Sequence, residues 1–207
     1  MPSPVKIIAL CGSLRAESYT RMALNVALQA AQGAGAEVEL LDLRDYKLAF
    51  CGSNTNAHGN EIPYPDDVFR LRDQVKQAHG IILGTPEYHA SFSGVLKNAL
   101  DLMACEQFEG KMIGLIGVSA GALGANTAIN SLRSVGRSLH AWVVPEQVSI
   151  PFVDEAFDKE GKTLNEDIEK RLIALGLQVA RFSSLHSSAH AQEFIKAWEA
   201  APKNPAI

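Results

Sequence analysis

The stretch VKIIALCGSLRAESYTRMALN, residues 5–25, changes character twice. Residues 5–11 are almost all apolar and rich in β-branched side chains, with no alternation of apolar and polar. That pattern belongs to a strand buried on both faces. From Thr20 onward Leu24, Ala27, Leu28 and Ala31 recur at helical spacing. Between the two lies a small polar loop with Ser13, Ser18 and Thr20 and two arginines, Arg15 and Arg21. A buried strand leading through a polar loop into an amphipathic helix is the repeating unit of α/β proteins.

The same alternation continues along the chain. Strands are predicted at 37–43, 80–86, 112–119 and 142–150. Helices are predicted at 65–79, where Pro65-Asp66-Asp67 suits a first turn, and at 94–105 and 125–139. A last long helix opens on the capping-box pattern Thr163-Leu164-Asn165-Glu166 and runs through Phe182. The order βαβαβαβαβα predicts an open, doubly wound parallel sheet. Such sheets bind ligands outside the carboxyl ends of their strands. Two long connections, 44–63 and 151–162, exceed the usual loop length and suit a lid, a subunit contact or plain surface. The tail from Ser187 to Ile207 carries a short amphipathic pattern (Phe194, Ile195, Trp198) and ends among prolines.

A chain of 207 residues without internal repeats or a linker is expected to form one domain, 1–207, with its core at about 5–185 and a short C-terminal helical tail. The net charge of −4 argues against a broad nucleic-acid surface. No apolar run reaches the ~18 residues of a membrane span. MPSPVK lacks the pattern of a secretory leader, so a cytoplasmic setting is expected. Three cysteines without CxxC and six histidines without HExxH point to no metal site.

Three loops at strand ends carry the chemistry. The loop of Ser13, Arg15, Ser18 and Thr20 precedes a helix whose first N–H groups have no internal partners, a natural seat for phosphate. It has neither GxGxxG nor GxxxxGK[ST]. Taken alone, it reads equally well as a serine-capped helix with solvated arginines. The second loop, GTPEYHASFSGVLKNALD (84–101), has Pro86 forcing an extended path, so Glu87, Tyr88 and His89 are expected at the sheet edge beside a flat ring. In the third, GVSAGALGAN (117–126), Gly121 and Gly124 permit close backbone approach, and a helix start can face negative charge. Phosphate, ring edge and ring charge together fit FMN in a flavodoxin-like sheet.

GSLRxxSxxR (12–21), PEYHxSxSGxLKNALD (86–101) and SxGxxGA (119–125) resemble the NADPH-dependent FMN reductase family, which contains flavin, quinone, azo-dye and chromate reductases. The resemblance implies a five-stranded sheet of order 2-1-3-4-5 with helices on both faces. It implies that Ser13, Arg15, Ser18, Thr20 and the Tyr19 backbone hold the FMN phosphate. Pro86, Glu87, Tyr88 and His89 would border the isoalloxazine, and Ser119, Gly121 and Gly124 would lie beside its pyrimidine side. Hydride from NADPH or NADH would reach FMN N5 and pass to a small-molecule acceptor by a ping-pong mechanism, with no catalytic side chain of the protein's own. N–H groups of 119–124 would stabilise the reduced ring. A homodimer or homotetramer is implied, to which Phe50, Phe92, Leu102 and Met103 could contribute. An electron carrier or an FMN sensor would share fold and cofactor but not turn over NAD(P)H. Three positions depart from the family pattern: Thr20 where asparagine is common, His89 where asparagine or glycine is common, and Ser93 where proline is usual. The last is expected to loosen the start of the helix behind it.

Overall fold

Strand β1 (Lys6–Cys11) runs between two parallel neighbours, β2 (Glu37–Asp42) and β3 (Gly80–Tyr88), in the computed structural model, which describes residues 4–55 and 58–200, the side chains of Trp198 and Glu199 excepted. A two-residue strand, β4 (Ser91–Phe92), folds back antiparallel on the end of β3. Then come β5 (Met112–Val118), parallel to β3, and β6 (Trp142–Ile150), parallel to β5. The order is β2-β1-β3-β5-β6, so the five parallel strands stand as expected from the resemblance, with β4 as an addition.

Strand periodicity explains the two-sided burial. Ile7, Ala9 and Cys11 pack under helices α1 (Tyr19–Gly33) and, later in the chain, α6 (Glu166–His186). Ile8 and Leu10 face the opposite layer of α2 (Asp66–Gln77), α3 (Gly94–Asp101) and α4 (Asn126–Ser138). All five residues are 0% exposed. Ile7, Ile8 and Leu10 each contribute about 1.5–3 kcal/mol on transfer from water, and burial on both faces is why β1 shows no polar alternation. Gly176 sits where α6 crosses α1, and any side chain there would collide with the Ala27 carbonyl.

Several boundaries differ from expectation for identifiable reasons. β3 continues past Pro86 to Tyr88 because β4 pairs with its end. The 94–105 helix stops at Asp101: Arg72 Nε donates to the Leu102 carbonyl at 2.6 Å, and a separate 3₁₀ turn forms at Cys105–Gln107. The capping box is not formed at Thr163, which bridges Phe157 instead. Asn165 caps α6 by accepting from the N–H groups of Asp167 and Ile168. The 151–162 connection is not loose surface. It holds α5 (Val153–Ala156), and Val153, Ala156 and Phe157 are buried against the α1 layer. At the start of the 44–63 connection Leu43–Asp45 forms a 3₁₀ turn, and Tyr46 is buried. Leu102 and Met103 are core residues, which removes them from any subunit contact, whereas Phe50 is 76% exposed. A final helix, α7 (Ala189–Ala200), forms the tail; residues 1–3 of MPSPVK, the Trp198 side chain and the prolines of 201–207 lie outside the described residues. Among the described residues no helix is long and apolar enough to cross a membrane.

Candidate functional site

The loop between β1 and α1 is held open by Arg21. Its Nε donates to Asp42 Oδ2 at 2.6 Å, while its other nitrogens donate to the carbonyls of Ala16 (2.9 Å) and Arg15 (3.1 Å). In a trans peptide the C=O and the following N–H point in opposite directions. Turning these carbonyls toward Arg21 therefore turns the N–H groups of Ala16 and Glu17 the other way. Among the described residues none of the N–H groups of residues 16–20 has a partner, and neither does the Arg15 guanidinium. Ser18 caps α1 by accepting from Arg21 N at 3.2 Å, and its hydroxyl stands beside the Cys11 sulfur. Five unpaired donors at the positive end of a 15-residue helix, with one unpaired cation beside them, form a concave anion seat.

Asp42, at the end of β2, anchors this arrangement. Burial acts to raise its pKa, but hydrogen bonds from Arg21 and Arg44 outweigh burial and hold the carboxyl below its ordinary value. It therefore stays ionised and keeps Arg21 in place.

The second and third loops meet through Glu87. Its Oε2 accepts from Ala128 N at 2.9 Å, inside the first turn of α4. The carboxylate thus supplies an N-terminal cap that α4's own residue Ala125 cannot. Beyond it, His89 (φ 50°) and Ala90 (φ 60°) make the tight turn into β4. Both lie in left-handed backbone without being glycine, a strain of roughly 1–2 kcal/mol per residue. In the third loop half of the N–H groups of 119–124 are already used. Ser119 N donates to the Ile150 carbonyl, Gly121 N to Ser119 Oγ, and Gly124 N to the Gly121 carbonyl. Ala120, Ala122 and Leu123 N have no partner among the described residues, and of these only Ala120 lines the cavity, so donation toward a ring falls to Ala120. Gly124 has φ 65°, and a side chain there would strike Ser149 Oγ, so its glycine serves the turn itself.

These loops enclose one cavity of about 410 Å³, within the ~300–1,000 Å³ of small-molecule sites. Ten of the twelve residues expected from sequence line it: Ser13, Arg15, Ser18, Tyr19, Thr20, Pro86, Glu87, Tyr88, Ser119 and Gly121. His89 and Gly124 do not. Glu17, Val118, Ala120, Val153 and Asp154 join the lining. The last two come from the 151–162 connection, drawn in because Val153 N donates to the Ser119 carbonyl at 3.1 Å. Only the unusual length of that connection hinted at this. Seat, cavity size and ring-edge backbone fit a group with a phosphate at one end and a flat ring at the other.

Comparison with known proteins agrees. The family model for NADPH-dependent FMN reductase matches residues 5–155. An NAD(P)H-dependent FMN reductase of Pseudomonas aeruginosa is 34% identical over 190 residues, 87% of this chain and 98% of its own. The chain belongs to the NADPH-dependent FMN reductase family. An FMN-dependent NADPH-azoreductase of Staphylococcus aureus is 31% identical over 174 residues, 82% of this chain and 89% of its own. Among solved structures, the flavoenzyme NAD(P)H:(acceptor) oxidoreductase FerB of Paracoccus denitrificans superposes with a TM-score of 0.68 at 24% identity, covering 88% of this chain and 98% of that one. A flavodoxin from the domain Archaea gives 0.61 at 13% identity, covering 87% and 99%, and shows the shared fold.

As a member of this family the chain is an oxidoreductase of the FMN- and NAD(P)H-dependent kind. One departure from the family pattern corrects an expectation. Ser93 does not loosen the start of α3. Its Oγ accepts from Leu96 N (3.2 Å) as the cap and donates to the Gly12 carbonyl (2.6 Å), and its N–H donates to Thr85 Oγ1 (2.9 Å). A proline there could make none of these three bonds.

Proposed function

We propose that the reductase holds FMN in the 410 Å³ cavity, with the phosphate on the 16–20 amides, Arg15 and the hydroxyls of Ser13, Ser18 and Thr20. The ring lies between Pro86–Tyr88 and Ser119–Gly121. Bound there, FMN supplies hydride transfer from NAD(P)H to an acceptor such as a quinone, a flavin, an azo compound or a metal ion. The protein's own part is to seat, orient and polarise. The amides of 16–20 fix the phosphate arm, and with it the position of the ring along the sheet edge. Ala120 N, at the third loop, donates toward charge on the ring. Tyr88, 46% exposed, leaves one side of the site open, so donor and acceptor take turns there in ping-pong fashion. The whole chain, 1–207, acts as one FMN domain in the cytoplasm, as a homo-oligomer; the three free cysteines suit a reducing compartment.

The observation that carries this reading is the row of amides at 17–20 and the Arg15 guanidinium, all without partners among the described residues, on residues that line the same cavity as the two ring-bordering loops. Titration of the flavin-free protein with FMN is expected to give a one-to-one yellow complex that bleaches with NADPH without oxygen and recovers its colour with a quinone. A protein that takes up no FMN, or holds it and does not react with NADPH, sinks the reading.

A further inference from the structure

A second recess adjoins the flavin cavity. It is a groove of about 840 Å³ between the 43–50 segment and the start of α3, and it shares Ser13, Arg15 and Tyr88 with that cavity. Leu14 (55% exposed) and Phe50 (76%) stand at its walls with Tyr88. An aromatic ring left so open beside a cleft offers a stacking face to another flat ring. The charged groups lining the groove are both cations, Arg15 and Arg44, on a chain whose net charge is −4. Behind the wall, the single carboxylate of Asp42 faces two guanidinium groups, Arg21 at 2.6 Å and Arg44 at 3.1 Å. Asp45 is within electrostatic reach of Arg44 as well, but neither carboxylate lines the groove. Arg15 and the loop amides serve the flavin phosphate, which leaves Arg44 as the groove's own cation.

We propose that the groove receives a flat aromatic group carrying an anionic substituent, the ring against Phe50 and Tyr88 and the anion against Arg44. The proposal rests on the flavin reading above, since the groove gains its purpose from opening onto the ring. Two sources carry this chemistry. One is the adenosine 2′-phosphate end of NADPH, and the other is an acceptor bearing a sulfonate or carboxylate.

The test uses the full chain reconstituted with FMN and follows NAD(P)H plus a proton and a quinone going to NAD(P)⁺ and hydroquinone, two electrons in all. Two matched pairs are compared: NADPH with NADH, and 1,4-naphthoquinone-2-sulfonate with 1,4-naphthoquinone. At low salt, kcat/KM is expected to favour the anionic member of at least one pair by about tenfold, the worth of one charge-assisted contact. The preference should shrink as ionic strength rises. Arg44→Gln is expected to bring the ratio close to one in protein that still takes up FMN, and Phe50→Ala to lower kcat/KM for both members of that pair. Preference in the donor pair alone assigns the groove to the dinucleotide; preference in the acceptor pair alone assigns it to the acceptor; both results support the proposal. No preference in either pair, or one that Arg44→Gln leaves intact, overturns it while the flavin reading stands. Should Arg44→Gln not fold, the salt titration of the unaltered protein decides, and a flat profile overturns the proposal. Failure to take up FMN sinks the flavin reading instead. The groove is then judged by calorimetry with 2-naphthalenesulfonate against 2-naphthamide, where equal binding overturns it.

Discussion

Arg15, in the loop, and Arg21, in the first turn of α1, stand six positions apart and do opposite things. Arg21 is spent on Asp42 and two carbonyls, so it builds the seat; Arg15 has no partner among the described residues and is free for a ligand. Replacing Arg15 with alanine removes a charge-assisted contact without touching the fold. FMN affinity is expected to fall tenfold or more (~1.5–3 kcal/mol), read by fluorescence titration, with the circular dichroism spectrum unchanged. Unaltered affinity would move the phosphate elsewhere. Glu87 was expected beside the ring, and it does line the cavity, but its carboxylate is engaged on α4. Its role is to position two walls of the site against each other. Glu87→Ala should lower stability by ~1 kcal/mol and weaken FMN binding. Glu87→Gln, which keeps an acceptor oxygen, should recover much of both. Equal effects of alanine and glutamine in thermal melting and flavin titration would deny the brace.

At the scale of elements, the site depends on how β3 ends. Pro86 gives up an N–H, yet the chain stays extended to Tyr88 because β4 folds back on it, at the cost of two non-glycine residues in left-handed backbone. Such strain at a site edge persists only where surrounding contacts over-determine it. Ser93 supplies three of them, to Gly12, Thr85 and Leu96, and so ties α3 to the loop after β1. Ser93→Ala deletes a cap and leaves the buried Gly12 carbonyl without that donor. The expected cost is ~1–3 kcal/mol. At ~2–4 °C per kcal/mol for a chain of this size, the melting temperature should drop by several degrees. A change within error would show that the hydroxyl carries little.

At the scale of the whole molecule, the two ends of the sheet have different tasks. The carboxyl end holds the cavity lined by the three loops and the groove beside it; at the other end a lysine closes a helix. There Lys111 Nζ donates to the carbonyls of Val75 (2.6 Å) and Lys76 (2.7 Å), finishing α2. Burial, and then the nearby charge of Lys76, push Lys111 from its ordinary 10.5 to about 8. Below pH 8 both the folded and the unfolded chain carry the proton, and the burial penalty is present in full. Between about 8 and 10.5 the unfolded chain keeps a proton that the folded chain has released, so this group adds stability as pH rises. The difference in melting temperature between the unaltered protein and Lys111→Met should therefore move in favour of the unaltered protein from pH 8 to 10. Taking the difference cancels Cys11 and Tyr46, whose burial raises their pKa values and acts in the opposite sense. A constant difference across that window would contradict the shift.

Local pattern determined most of the fold. The apolar run of β1 and the helical stripe of α1 are periodicities any reader of residues 5–31 can see, because burial on two faces or one leaves its mark residue by residue. The three loops stood out in the sequence as clusters of hydroxyls, arginines and glycines at strand ends, although such residues serve caps and turns as well as ligands. Only tertiary structure decided which of these groups are free. That Arg21 is spent and Arg15 is not, that Glu87 reaches α4, that the Gly121 amide is taken and the Ala120 amide is open, and that Val153 and Asp154 line the cavity all depend on contacts between residues far apart in the chain. A hydrogen bond satisfies a donor wherever its acceptor stands, and the sequence records the donor without recording where the fold will bring the acceptor.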